Sequence, residues 1–78
     1  DSDKSEAYKL EVIRSYFEYA VLSIDEKKEE RFTKVVEQCN EFADRFPESA
    51  LKAEVNNFLN ISQNNLKAIK NEQVKTSA

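Results

Sequence analysis

The sequence predicts an all-α fold of three antiparallel helices. Apolar residues recur at helical spacing, about 100° per residue, in three successive segments. The chain of 78 residues contains no glycine, and its single proline, Pro47, directly follows the most regular of the three apolar stripes. Since proline cannot continue a helix, it marks the connection between two of them. The helices are expected at about 4–23, 26–46 and 50–71.

The second helix has one apolar stripe and an opposite polar side. Its stripe consists of Phe32, Val35, Val36, Cys39, Phe42, Ala43 and Phe46. Pro47 disfavours helical geometry at Phe46, so the helix is expected to end at Arg45 or Phe46. Ser49 is then placed to cap a third helix that begins at Ala50. This predicts a tight turn between two helices, with Phe46 directed into the junction.

The third helix has a narrower stripe and an unusual number of asparagines. Ser62 lies within the stripe and is expected to face the core. Packing, more than intrinsic propensity, must hold this helix, because asparagine is a mediocre helix former. The tail after Asn71 is expected to fray. The stripe consists of Leu51, Val55, Phe58, Leu59, Leu66 and Ile69.

The first helix has two apolar faces. One stripe consists of Leu10, Ile13, Phe17, Ala20, Val21 and Ile24. The other consists of Tyr8, Val12, Tyr16, Tyr19 and Leu22. A helix of this kind packs between two neighbours, and the other two helices can cover only the first stripe. Either the protein dimerises through the tyrosine-rich stripe, or further helices precede Asp1 and the stripe packs against a preceding repeat. The second alternative is favoured, with the chain as a fragment of a longer one.

The segment between the first two helices carries a helix-start signal. Ser23 with Glu26 three residues later fits a capping box, and Asp25 is a competing cap. Glu26, Glu29 and Glu30 follow in the first turns, where the helix dipole favours acidic side chains.

Composition argues against several classes of function. The chain has no histidine, one cysteine and no glycine-rich loop, so we expect no enzyme, no metal site and no cofactor. The net charge of −3 argues against nucleic-acid binding. No apolar run approaches the length of a membrane span, so this segment is not expected to insert into a membrane. Cys39 lies on the buried stripe and is interpreted as a small core residue rather than a redox or lipidated one.

The outward side of the second helix offers the only charged candidate site. It is lined by Glu37, Gln38, Glu41 and Arg45. A solvated helix face explains these residues, and the alternative is a partner-binding face whose charges act at the rim of an interface.

Helix pairs joined by short proline-marked turns are typical of tetratricopeptide-like (α-solenoid) arrays. The spacing of Val35-Val36, Cys39, Phe42 and Phe46-Pro47-x-Ser49 resembles the second helix of a repeat in the BamD (YfiO) family of outer-membrane assembly lipoproteins. The segment 16–24, followed by EKKEERF at 26–32, resembles the first helix and turn of that family's last repeat, in its Bacteroidetes form. The start of the third helix, 49–54, resembles the family's terminal helix.

The resemblance implies that residues 1–78 form a single C-terminal tetratricopeptide-like module of a BamD-like protein. Such a protein is a non-enzymatic scaffold in the outer-membrane β-barrel assembly machinery. It lies on the periplasmic face of the outer membrane, held by an N-terminal lipid that this segment does not include. The resemblance further implies docking to the POTRA region of the barrel-inserting subunit, BamA. The alternative is a helical oligomerisation module that associates with itself through Tyr8, Tyr16 and Tyr19.

Overall fold

The computed structural model describes the backbone of residues 2–77 and the side chains of residues 5–72. It contains the helices α1 (Ser2–Val21), α2 (Asp25–Arg45) and α3 (Lys52–Ser77). The predicted all-α class is confirmed, since no strand occurs within 2–77. The molecule is elongated, with principal extents of 51 × 20 × 14 Å.

The core lies between the three helices, and α2 contributes half of the buried apolar residues in the described part of the chain. These residues are Leu10, Ile13 and Ala20 from α1, Phe32, Val35, Cys39 and Phe42 from α2, and Val55 from α3. A shell of partly buried side chains packs against them: Phe17, Phe46, Leu51, Phe58, Leu59 and Leu66. The interior therefore comes from the first stripe of α1 and from the stripes of α2 and α3, because an apolar side of a helix can leave water without burying charge.

The contacts between α1 and α2 run in opposite order along the two helices. Near the start of α1, Lys9 Nζ lies 2.7 Å from Oε1 of Glu41, late in α2. Near the end of α1, Tyr19 lies under the guanidinium of Arg31, early in α2. This is the order that an antiparallel pair gives.

Contacts from α1 to α3 run in the same order along both helices. Arg14 Nη2 donates to Glu54 Oε2 at 2.6 Å, and the Phe17 ring lies 5.0 Å from the Phe58 ring, centre to centre. Phe17 also meets Phe32 of α2 edge to face. Phe17 is therefore the point at which all three helices meet.

The turn at Pro47 has the features that the sequence predicts, except for the first residue of α3. Helix α2 ends at Arg45, and Phe46 leaves helical geometry (φ −131°, ψ 62°) while its amide still donates to Phe42 O. The Phe46 ring packs 5.1 Å from that of Phe42. Ser49 Oγ accepts from the Leu51 amide at 3.0 Å, as a capping serine does. Helix α3 nevertheless begins at Lys52 rather than Ala50.

The predicted capping box at the start of α2 is wrong. The N-cap of α2 is Ile24, and no side chain caps it. Ser23 Oγ instead donates to the Tyr19 carbonyl at 2.6 Å and accepts from Arg31 Nη1 at 2.6 Å. The Ser23 hydroxyl therefore binds the last turn of α1 and the Arg31 side chain, and it does not cap the start of α2. Asp25, the competing cap, is the first residue of α2 itself.

Two further expectations are corrected by the helix ends. Helix α1 ends at Val21, so Ile24 lies beyond the helix, and Val21 lies in its last turn at the edge of the core stripe; both are exposed. Helix α3 continues to Ser77 rather than fraying after Asn71. The segment that follows has good helix formers and neither glycine nor proline, which explains the continuation. Ala78 lies outside the described residues.

Candidate interaction surface

Helix α1 carries a second apolar surface on the side turned away from the core. We call it the Tyr face, and it consists of Tyr8, Val12, Tyr16 and Tyr19. The fractional exposures of the three tyrosines are 70%, 36% and 57% in chain order, and Val12 is half-buried. Among the described residues, Arg31 of α2 lies over the Tyr19 ring, and the rest of the face, Tyr8 above all, is open to solvent. Aromatic residues are enriched at protein–protein interfaces, and three of them lie on this one side of α1.

The spacing of these residues makes a continuous stripe. Intervals of four, four and three residues keep side chains on one side of an α-helix over about 16 Å, at 1.5 Å per residue. Between them lies a shallow open groove of about 670 Å³, with Glu11 and Ser15 completing its lining. A groove of this shape on a single helix can receive the side chains of another helix.

Arg31 of α2 forms one edge of the Tyr face. Its guanidinium carbon lies 4.0 Å from the centre of the Tyr19 ring, a cation–π distance. A second hollow adjoins the first through Tyr16 and Tyr19, and its remaining lining comes from Glu30, Arg31 and Lys34. The surface therefore has an aromatic floor on α1 and a charged border on α2.

The four residues predicted to bind a partner lie in the second half of α2. Glu37 and Arg45 are exposed, and Gln38 is half-buried. The Arg45 guanidinium carbon lies 5.6 Å from the centre of the Phe46 ring. Glu41 is exposed but is bound to Lys9 of α1 at 2.7 Å. The hydrogen bond and charge of Lys9 lower the pKa of the Glu41 carboxyl. Glu41 thus already ties α1 to α2.

The turn between α1 and α2 exposes aliphatic side chains. Leu22, expected to continue the tyrosine-rich stripe, is 85% exposed. It follows the end of α1, where Lys28 Nζ donates to the Val21 carbonyl at 2.9 Å. A cation at this position satisfies one of the last carbonyls of a helix.

Cys39 is fully buried between α2 and α3. Its Sγ lies 3.6 Å from the Val55 carbonyl oxygen. Burial raises the pKa of the Cys39 thiol to about 11. The thiol is therefore kept in its protonated form, in which it is a poor nucleophile.

Within the described part of the chain, no group of three or more histidine, cysteine, aspartate or glutamate side chains is arranged to hold a metal ion. Over the same residues, no helix has the combination of length and apolarity that crossing a bilayer requires.

Comparison with known proteins gives no relative: no family model, no curated protein and no solved structure matches this chain.

Sequence reasoning missed the part that Arg31 and Lys34 take in this surface. Arg31 ends the charged run 25–31, and Lys34 follows it three residues later. A run of this kind has the pattern of a solvated helix face. The position of Arg31 could have predicted this role. Arg31 directly precedes the core residue Phe32, so it lies at the edge of the buried stripe, beside the neighbouring helix.

Proposed function

We propose that this chain is a non-enzymatic scaffold, the C-terminal helical repeat of a BamD-like lipoprotein in the outer-membrane β-barrel assembly machinery. In this role it docks the POTRA region of the barrel-inserting subunit. The observation that carries the proposal is the double-sided α1, which buries one apolar side in the core and leaves the Tyr face uncovered. A helix of this kind is built to lie between two layers, as the helices of a repeat array do.

Two features support a repeat array in particular. The Phe46-Pro47 turn joins α2 to α3 within six residues, 46–51, which keeps successive helices adjacent. The Tyr face is apolar along its length, as expected of a surface that a preceding repeat covers in the parent chain. The proposal includes a TPR-like (α-solenoid) architecture. It also treats residues 1–78 as one module of a longer chain.

The partner side of the proposal uses Glu37, Gln38, Glu41 and Arg45. The Lys9–Glu41 pair holds one of these side chains in place before binding, which reduces the entropy lost at an interface. Exposed charges of this type contribute more to association rate and specificity than to affinity. In this proposal the parent lies on the periplasmic face of the outer membrane, anchored by its N-terminal lipid, and this segment does not insert into the membrane.

The experiment is titration calorimetry of the chain against a purified POTRA region of a BamA-like protein. We expect saturable binding that weakens with added salt and weakens further in Glu37→Lys and Arg45→Glu. Lys67→Glu, at an exposed position on α3, is the matched control and should bind like the wild type. No binding at concentrations of about 100 μM, which corresponds to roughly 5.5 kcal/mol, would reject the proposal.

A second candidate function is self-association through Tyr8, Tyr16 and Tyr19. The specific observation that favours it is the 70% exposure of Tyr8 together with the continuous groove along α1. Light scattering after size exclusion separates the two candidates. A dimer that persists on dilution favours self-association, and a monomer that binds the POTRA region favours the scaffold.

A further inference from the structure

We propose that a second copy of this chain covers the Tyr face, with the two α1 helices antiparallel and with charged residues of each α2 pairing across the interface. The inference rests on the proposed role of the Tyr face as an interaction surface and names its occupant. It adds a defined geometry and a set of charge pairs to the self-association considered above.

The spacing of the stripe suits a two-fold axis. A two-fold interface is self-complementary, because the same patch serves both partners. When two antiparallel α1 helices cross at the midpoint of the Tyr face, near residues 13 and 14, Tyr8 faces Tyr19 of the second copy, and Val12 faces its Tyr16. Each large ring then meets either another ring or the smaller Val12, and the contact repeats on the other side of the axis. Offset aromatic pairs of this kind stabilise beyond their buried area.

The charges along the border favour a second copy over an unrelated partner. The contacts Lys9–Glu41 and Tyr19–Arg31 fix how α2 lies beside α1. By the same register, Lys34 lies level with Tyr16. The cations Arg31 and Lys34 thus border the end of the face that carries Tyr16 and Tyr19.

The other end of the border, level with Val12 and Tyr8, carries the acidic residues. Counting along α2 from the Lys9 contact, Glu37 and Glu41 lie there. The border is therefore basic early in α2, at Arg31 and Lys34, and acidic later, at Glu37 and Glu41. Two residues depart from this pattern: Glu30 lies beside Arg31, and Lys9 of α1 lies beside Glu41.

A two-fold axis brings these opposite charges together. It keeps both α2 helices on the same side of the α1 pair and reverses their direction. Arg31 of one copy then lies level with Glu41 of the other, and Lys34 with Glu37. Within one chain, Lys34 Nζ lies 3.7 Å from Glu37 Oε1, a long ion pair between two exposed side chains of α2. The pairing across the axis replaces this weak contact with a partner whose side chain is partly shielded from water.

The test is a charge exchange between two variants, Lys34→Glu and Glu37→Lys, measured by light scattering and sedimentation at low salt. In each variant alone, the two-fold axis juxtaposes like charges twice, so the dimer should be weaker by at least about tenfold. When the variants are mixed, both contacts across the axis become attractive again. We expect a heterodimer whose affinity returns to within about threefold of the wild type.

Two further variants establish the surface. Tyr16→Glu places a charge in the centre of the face and should give a monomer. Asn60→Glu, at an exposed position on α3, should dimerise like the wild type, and far-UV circular dichroism checks that each variant is folded. A wild-type monomer at about 100 μM, a dimer that survives Tyr16→Glu, or a mixture that regains nothing would each overturn the inference. Those outcomes leave the POTRA measurement, and with it the scaffold proposal, unaffected.

Discussion

Arg31 of α2 lies over the ring of Tyr19 of α1, with 4.0 Å between the guanidinium carbon and the ring centre. The same guanidinium donates to Ser23 Oγ at 2.6 Å, and that hydroxyl donates to the Tyr19 carbonyl at 2.6 Å. One side chain of α2 therefore holds both the last turn of α1 and the turn that follows it. These side-chain contacts add to the backbone hydrogen bonds of the α1–α2 connection, such as the one from the Ser23 amide to the Ala20 carbonyl at 3.2 Å.

Replacing Arg31 with alanine is expected to lower the free energy of unfolding by about 1–2 kcal/mol, because a cation–π contact and a hydrogen bond to a partly buried hydroxyl are lost together. Arg31→Lys should recover less than half of this, since an ammonium does not reproduce the planar stacking. Urea unfolding of dilute protein, followed by circular dichroism, measures the change. Lys67→Ala is the control, with an expected change within about 0.5 kcal/mol. Equal stabilities of Arg31→Ala and the control would show that the contact contributes nothing.

The pair of Lys9 and Glu41 should make stability depend on pH. The hydrogen bond from Lys9 lowers the pKa of Glu41 in the folded chain, so folding is favoured while the carboxylate is ionised. This contribution is present above the ordinary glutamate pKa of about 4.3. It is lost as the pH falls through the lower folded value.

The measurement is the urea midpoint of the wild type and of Glu41→Gln at a series of pH values from 7 down to 3. The two midpoints should differ at neutral pH and converge in acid. In parallel, Lys9→Ala should return the Glu41 pKa, followed by carboxyl-carbon NMR, toward its ordinary value. A Glu41 titration that is insensitive to Lys9→Ala would mean that the pair does not persist in solution.

Periodicity predicted the core because helix geometry brings the apolar residues of a stripe to one side, where a neighbouring helix can bury them together. Ile13, Phe32 and Val55 are buried as their stripes require. The same argument failed for Ile24, since a stripe has meaning only while the chain remains helical and α1 ends at Val21. It also failed for Val21, which lies at the edge of the stripe in the last turn of α1 and is exposed. Helix ends depend on competing side-chain hydrogen bonds, and Ser23 could have served either helix.

The interaction surface was predicted in part for a related reason. The second apolar stripe is visible in the sequence of α1, but its border is formed by residues of α2. Which residues of α2 lie beside Tyr19 depends on the register of the two helices, and local spacing does not determine that register. Glu41 was interpreted as a free outward charge because its partner, Lys9, is 32 positions away.

Replacing Ser62 with alanine should stabilise the protein by about 1 kcal/mol beyond the gain in helix propensity. Ser62 is fully buried, and its Oγ has no hydrogen-bond partner among the described residues. A buried hydroxyl without a partner carries the cost of its lost hydration. Ser15→Ala, at an exposed position in α1, supplies the propensity difference of about 0.5 kcal/mol, provided that the protein is dilute enough to be monomeric, since Ser15 lines the groove of the Tyr face. Urea unfolding of both variants gives the comparison, and a loss of stability in Ser62→Ala would show that the hydroxyl does bind a partner, such as a buried water.

Cys39 should resist thiol reagents in the folded protein. With a pKa raised to about 11 by burial, roughly one thiol in a thousand is ionised at pH 8. The reagent must also reach a side chain that is only 1% exposed. Labelling with a chromogenic disulfide is therefore expected to require opening of the α2–α3 packing, so its rate should rise steeply with urea and reach that of an unstructured thiol above the unfolding midpoint.

The matched control moves the thiol to the surface by combining Cys39→Ser with Asn60→Cys. This protein should react at once without urea, since position 60 lies on the exposed side of α3. Rapid labelling of Cys39 in the wild type would contradict the packing of α2 on α3. Slow labelling that Ser62→Ala slows further would show that the same packing controls both sites, because a more stable α2–α3 contact opens less often.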